Sequence, residues 1–359
     1  RIENLGWDVG RLYSVNTFGA IIGNVSAGFV LMKLIGINET LYLAGAFNLL
    51  VAGIALLLDY KSGELSSQTN TVQVKNEIHN PKSEVRNPAK WALIAIGVSG
   101  FCALAYEVLW MRILVFFLGS TTYAFTTMLS AFLVGIALGS AVLAKIVDKV
   151  SKKHTSWLNL FSLFGFIQIL IGIFAIVLLP VFSELYAIRI KLGAGQIWTF
   201  FSCMIVMLLP TILMGASFPV AVKIYTRSLK NIGRSIGDVY SVNTLGSIFG
   251  SFVAGFIIVP LIGIQRSVIF IALLNILIGY LLHRKNPKSS HALKWSSVGI
   301  TSLALVLGLI MFIVADKPII LESAIFKIQN PGGELIDYEE DYDASVTALE
   351  DQKGVKRLY

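Results

Sequence analysis

The sequence predicts an all-α integral membrane protein made of parallel six-helix repeats, the first of them truncated, followed by the start of a soluble β-element. Three observations carry this. First, apolar residues make up 55% of the chain, charged residues 14%, and mean hydropathy is +0.75. A soluble domain carries about 25% charged residues, so this chain lacks the polar surface to cover itself and its solvent is lipid. Second, nine stretches are long and apolar enough to span a bilayer: roughly 12–33, 38–58, 91–117, 121–144, 157–179, 197–222, 238–262, 267–283 and 295–315. A span needs about 20 apolar residues, and lipid forces its backbone bonds to close within the segment, so these are helices. Third, GRLYSVNTFGAIIGNVSAGFVLMKLIG at 10–36 returns as GDVYSVNTLGSIFGSFVAGFIIVPLIG at 237–263.

The two passages align without gaps at an offset of 227, and 18 of the 34 positions from Asn4 to Ile37 are identical to their partners. A match this long signals internal duplication. Six crossings separate the copies, an even number, so both run the same way through the membrane. That makes a parallel repeat of six helices, the plan of the major facilitator proteins. If spans three to eight are one complete unit, residues 1–60 hold only the last two helices of the unit before it. The missing helices, together with a chain that begins Arg1-Ile2-Glu3 with no Met, lead us to expect an N-terminal truncation.

Residues 61–90, KSGELSSQTNTVQVKNEIHNPKSEVRNPAK, follow the second span. Polar and of mixed charge, they bury too little apolar area to fold alone and predict a flexible cytoplasmic linker. Residues 91–283 then form the second six-helix half, and 284–316 a loop and the ninth helix. Within the half, Ala137-Leu138-Gly139-Ser140-Ala141 leads to Asp148-Lys149, a loosened form of the facilitator loop motif.

Net charge is +8, but the Lys and Arg residues sit in short loops between spans, which argues for orientation rather than nucleic-acid binding. Loops 61–90, 145–153, 223–234 and 284–294 carry seventeen of them; the alternate loops 34–40, 118–122, 181–196 and 263–267 carry three. The basic loops are therefore expected in the cytoplasm and the protein in a plasma (inner) membrane. Cys102 and Cys203 both lie inside spans and predict no disulfide framework.

Gly19 and Gly23, Gly135 and Gly139, and Gly246 and Gly250 each sit one turn apart, a spacing that lets helices approach closely. Helix packing is their expected role, a pore-lining surface the alternative. Asn16 and Asn243 are matched members of the YSVNT stretch; each buried amide needs partners, from a neighbouring helix or from a polar ligand. Glu107 stands in SGFCALAYEVLWMRIL, in the non-cytoplasmic half of span three. An ionisable residue at that depth is a functional candidate by default, for cation or proton binding. The structural alternative is an ion pair with Arg112, though positions i and i+5 diverge by about 140° on a regular helix. Pro210 and Pro219 bracket LPTILMGASFP in span six and predict either a broken helix or a fixed kink. No zinc spacing, Ser-His-Asp set, phosphate loop or dinucleotide glycine loop occurs, and no metal site is expected; His79, His154, His283 and His291 lie in or beside loops.

After span nine the composition turns acidic. Residues 317–359 contain strand-like pieces at Leu335–Tyr338, Ser345–Leu349 and Val355–Tyr359, with Asp351–Gly354 as a turn between the last two. One hairpin is not independently stable in water, so we expect the chain to stop just inside a soluble domain. Tyr338, Glu339, Glu340, Asp341 and Asp343 could attract a cationic amine or form a solvated acidic turn.

SGFCALAYEVLWMRIL, LPTILMGASFP, GDVYSVNTLGSIFGSFVAGF and YDASVTALED-x-x-GVKRLY together resemble the membrane-embedded spermidine synthase-like proteins. In that family a facilitator-like helical domain is fused to an aminopropyltransferase-like domain. The resemblance implies an aminopropyl group moved from decarboxylated S-adenosylmethionine, the co-substrate, to a polyamine such as putrescine. It also implies an acidic residue that takes a proton from the attacking amine; that residue and the cofactor loop would lie beyond Tyr359. Soluble relatives have a Gln near the strand where Ala344 and Ser345 stand, which puts ordinary polyamine specificity in doubt. Nine crossings place the tail outside the cytoplasm, in tension with a cytoplasmic co-substrate. Three functions stay open: a membrane-anchored aminopropyltransferase-like enzyme, a facilitator-type transporter of polyamines or other organic cations, and a helical scaffold.

Overall fold

The computed structural model describes residues 5–66, 86–118, 121–151, 156–193, 195–226, 232–284, 291–314, 334–340, 345–350 and 356–358. The order of elements is α1 (Leu5–Val25), a π-helical turn π1 (Ser26–Leu31), α2 (Met32–Ile35), α3 (Ile37–Ser66), α4 (Arg86–Leu118), α5 (Thr121–Ser151), α6 (Ser156–Leu192), α7 (Gln196–Tyr225), α8 (Ile232–Val253), a second π-helical turn π2 (Ala254–Ile258), α9 (Val259–Arg284) and α10 (His291–Val314). Strands β1 (Glu334–Glu340), β2 (Ser345–Glu350) and β3 (Lys356–Leu358) follow. Among the described residues, seven helical stretches, against the nine expected, are long and apolar enough to cross a membrane; one of them, Gly233–Arg284, is 52 residues long, is interrupted at Gly263 and covers two expected spans, while 295–315 is matched only by the shorter apolar helix Thr301–Ile313. The protein is a multi-pass, all-α membrane protein in this portion.

Two compact units divide the chain: residues 22–86, and residues 1–21 with 87–359. In the smaller unit nearly every large side chain of α3 from Ile37 to Leu58 is exposed and apolar, among them Leu41, Phe47, Leu49 and Leu56. That surface is stable in lipid and insoluble in water.

The larger unit is organised around α4. Ala92, Ala95, Ile96, Cys102, Ala105, Tyr106, Leu109, Trp110, Ile113 and Leu114 are all buried, a helical repeat wide enough to meet several neighbours at once. Trp110 packs its ring on Phe132 of α5, and the Cys102 thiol reaches the Ile271 carbonyl of α9 at 3.9 Å. The remaining helices close on glycine. A Cβ on Gly165 would lie 2.6 Å from the Gly279 carbonyl oxygen, and one on Gly279 would lie 2.5 Å from that of Gly165, so α6 and α9 cross backbone to backbone. Gly172 repeats the contact one heptad on, against the Ala272 carbonyl.

The duplicated passages share backbone geometry. Ala27-Gly28-Phe29 and Ala254-Gly255-Phe256, 227 positions apart, both lie in the π turns. Nine residues beyond the matched Ala27 and Ala254 come Gly36 (φ 88°, ψ 173°) and Gly263 (φ 77°, ψ 165°), in a region of backbone space open almost only to glycine. Thr40 and Ser267, again 227 apart, each turn a hydroxyl back on the carbonyl of that glycine, at 2.6 and 2.5 Å. Each corner ends one helix and starts the next.

Several sequence expectations need correction. The linker 61–90 is helical at both ends, since α3 continues to Ser66 and α4 begins at Arg86; residues 67–85 lie outside the described residues. Hydropathy marks where a helix leaves lipid, whereas its hydrogen bonds continue until a breaker stops them. For the same reason α6 runs to Leu192, through most of the loop expected at 181–196. α7 is unbroken from Gln196 to Tyr225 with Pro210 and Pro219 inside it. Next to Pro210, the Thr211 hydroxyl lies within bonding distance of the Met207 and Leu208 carbonyls of its own helix, at 2.8 and 3.0 Å. The tail is a three-stranded antiparallel meander in the order β1-β2-β3, with β1 packed on α9. Its first strand is longer than expected at both ends, and Ile336 bulges between Leu335 and Asp337.

Candidate functional site

Lipid offers polar side chains nothing, so those inside the bundle mark where chemistry or registration is concentrated. Gln168 of α6 is completely buried at the meeting point of three helices. Its Nε2 donates to Ser99 Oγ of α4 at 3.1 Å and to Ser217 Oγ of α7 at 2.9 Å. The Ser217 hydroxyl in turn donates to the Leu213 carbonyl at 3.3 Å. The carboxamide thus spends its donors on two neighbours, while among the described residues its Oε1 accepts nothing.

A second polar group lies along the same face of α4. Tyr106 and Trp110 are fully buried and stacked, ring centroids 5.1 Å apart at 18°. The Asn275 side chain of α9 lies beside the Tyr106 hydroxyl, yet Tyr106 Oη, Trp110 Nε1 and Asn275 Oδ1 form no hydrogen bond among the described residues. With Ser99, Cys102, Tyr106 and Trp110 on α4, Gln168 on α6, Ser217 on α7 and Asn275 on α9, the bundle interior carries a polar seam with unspent donors and acceptors. It offers hydrogen bonding without a charge. Among the described residues, no three His, Cys, Asp or Glu side chains converge as metal ligands.

Glu107 is half-buried on α4, next to Tyr106 but on a different face. α4 runs unbroken through Glu107 and Arg112, so their side chains leave it about 140° apart. Asn243 is half-buried on α8 and its side chain packs on Gly100 of α4, where a Cβ would lie 2.7 Å from Oδ1. Asn16, its counterpart, is exposed on α1, as are Gly19 and Gly23. Gly246 and Gly250 face the carbonyls of Gly97 and Phe101 on α4, and Gly135 and Gly139 face Thr211 and Ile212 on α7. In these four a Cβ would overlap the neighbouring helix. Tyr338 pairs with Thr347 in the β-meander, and Asp343 lies outside the described residues, as do Asp341 and Ala344.

Gln168, Asn275, Ser217 and the Tyr106–Trp110 stack were missed by a search for ionisable residues. The signal available was an amide inside FGFIQILIGIF and another inside IALLNILIG, each with no polar neighbour to explain it. Comparison of the chain with protein-family models, with curated proteins and with solved structures gives no match.

Proposed function

We propose that this chain is the membrane anchor of a spermidine synthase-like protein, with facilitator-like helical repeats that hold an aminopropyltransferase-like domain at the bilayer surface. The observation that carries the proposal is the β-meander after α10. Its strands β2 and β3 fall within YDASVTALED-x-x-GVKRLY, one of the four segments that together carry the resemblance, and the meander starts only twenty residues after Val314. The repeat at offset 227, with its paired π turns and glycine corners, supports the facilitator-like plan. The enzymatic step asks for a neutral amine as nucleophile on decarboxylated S-adenosylmethionine. The test is an aminopropyl-transfer assay on protein extended past Tyr359, with putrescine as acceptor. Labelled product is expected; none, from folded protein that carries the extension, overturns the enzymatic reading and leaves a scaffold.

A second reading, transport of an organic cation, is favoured by the unspent acceptors Gln168 Oε1 and Asn275 Oδ1 and by Glu107 at membrane depth. Vesicle flux of putrescine that is unchanged in Glu107→Gln makes the glutamate structural.

A further inference from the structure

Polar groups of the bundle interior lie close together without bonding. The Asn275 carboxamide of α9 is beside the Tyr106 hydroxyl of α4, and Trp110 stacks on the Tyr106 ring one turn further along. Tyr106 Oη, Trp110 Nε1 and Asn275 Oδ1 all lack a hydrogen bond among the described residues. Turning the carboxamide over does not remove the shortfall. It has one donor end and one acceptor end. If either end meets the phenol, the other stays unbonded, and so does the indole N–H. Buried groups of this kind are bonded in the great majority of folded proteins, to protein or to ordered water. Where two polar groups lie side by side and do not bond, a bridging water is the usual reason.

The surroundings limit what reaches these groups. Tyr106 and Trp110 are fully buried, and Asn275 is 1% exposed. Asn275 lies on α9 between Ala272 and Gly279, the two places where α6 closes on that helix backbone to backbone, through Gly172 and Gly165. On the α4 side the Cys102 thiol rests on the Ile271 carbonyl. A solute with a carbon skeleton does not fit between contacts this close. Water is small enough, and it both gives and accepts hydrogen bonds.

We propose that an ordered water bridges α4 and α9 at this point. In the carboxamide orientation of the structure it donates to Asn275 Oδ1 and accepts from Tyr106 Oη and Trp110 Nε1. That makes about three bonds, the usual number for a buried water. The bridge is present whether the chain anchors an enzyme or moves a cation; in the second case the solute displaces the water in passing.

The experiment is radiolytic hydroxyl-radical footprinting of the full chain in phosphatidylcholine nanodiscs, read by mass spectrometry. The radicals form from water and react where they form, so a buried ring is oxidised only where water lies against it. Corrected for intrinsic ring reactivity, Tyr106 and Trp110 are expected to oxidise several-fold faster than Phe164 and Phe182, which are as deeply buried and carry no polar group. Asn275→Leu puts apolar volume in place of the carboxamide and is expected to bring both down to the phenylalanine level. Asn275→Ser keeps a hydroxyl, adds room and is expected to retain the oxidation. A rise at Phe164 and Phe182 identifies a variant that has opened, and the wild-type comparison then decides by itself. Two results overturn the proposal. One is wild-type Tyr106 and Trp110 oxidised no faster than the two phenylalanines, which means a dry interior or another occupant. The other is oxidation of Tyr106 and Trp110 that is unchanged in Asn275→Leu while the phenylalanines stay protected.

Discussion

Gln168 shows how little a buried hydrogen bond yields when the group that makes it is half satisfied. Its two interhelical bonds contribute about 0.6 kcal/mol each in a membrane setting. Its unbonded Oε1 carries a desolvation cost of about 1–3 kcal/mol. The terms oppose each other, so Gln168→Leu should shift the unfolding free energy by less than about 1 kcal/mol in a denaturant titration in mixed micelles. A loss of several kcal/mol would mean that Oε1 has a partner in the membrane. Gln168→Glu, if ionised, should cost about 2.5–3.5 kcal/mol. The presence of Gln168 in a span is readable from the sequence. That it joins Ser99 to Ser217 is not, because the three lie on different helices and their contact depends on helix order around the bundle. Glu107 is the reverse case, conspicuous by type yet placed on a different face from the polar seam.

Among elements, the glycine pairs provide a comparison within one chain. Gly139→Ala and Gly246→Ala push a methyl into the Ile212 and Gly97 carbonyls and should cost about 1–3 kcal/mol, since backbone cannot step aside as a side chain can. Gly19→Ala, at the position matched to Gly246, is exposed and should be neutral or stabilising by up to about 1 kcal/mol through helix propensity. Gly263→Ala should cost about 1–3 kcal/mol for a different reason, a backbone conformation that side chains oppose. Thermal unfolding of the four variants in one detergent separates these outcomes. The four-residue spacing made Gly135, Gly139, Gly246 and Gly250 legible. Gly165, Gly172 and Gly279 lack it and are recognisable only once α6 is known to lie on α9. The π turns leave no mark in composition, because one extra residue in an apolar helix does not disturb hydropathy.

For the whole molecule, the positions of the first eight expected spans could be read directly, since they depend only on where apolar residues fall along the chain, whereas the ninth, expected at 295–315, is matched among the described residues only by the shorter apolar helix Thr301–Ile313. Helix ends could not, because hydrogen bonding outlasts the lipid boundary, as in α6. The side of the membrane is a further expectation of the charge count. A reporter inserted in loop 284–294 should be active only in the cytoplasm, and one after Tyr359 only on the opposite side; both on the same side would mean that α10 does not cross. The paired π turns and glycine corners also carry a history. An inserted residue that widens one turn, and a bend about three turns later that tolerates no side chain, are improbable to arise twice at matching places. If the two passages are copies of one unit, as their 18 identities over 34 positions lead us to expect, that unit had the irregular helix before it was copied, and both descendants have kept it while the other 16 positions drifted apart.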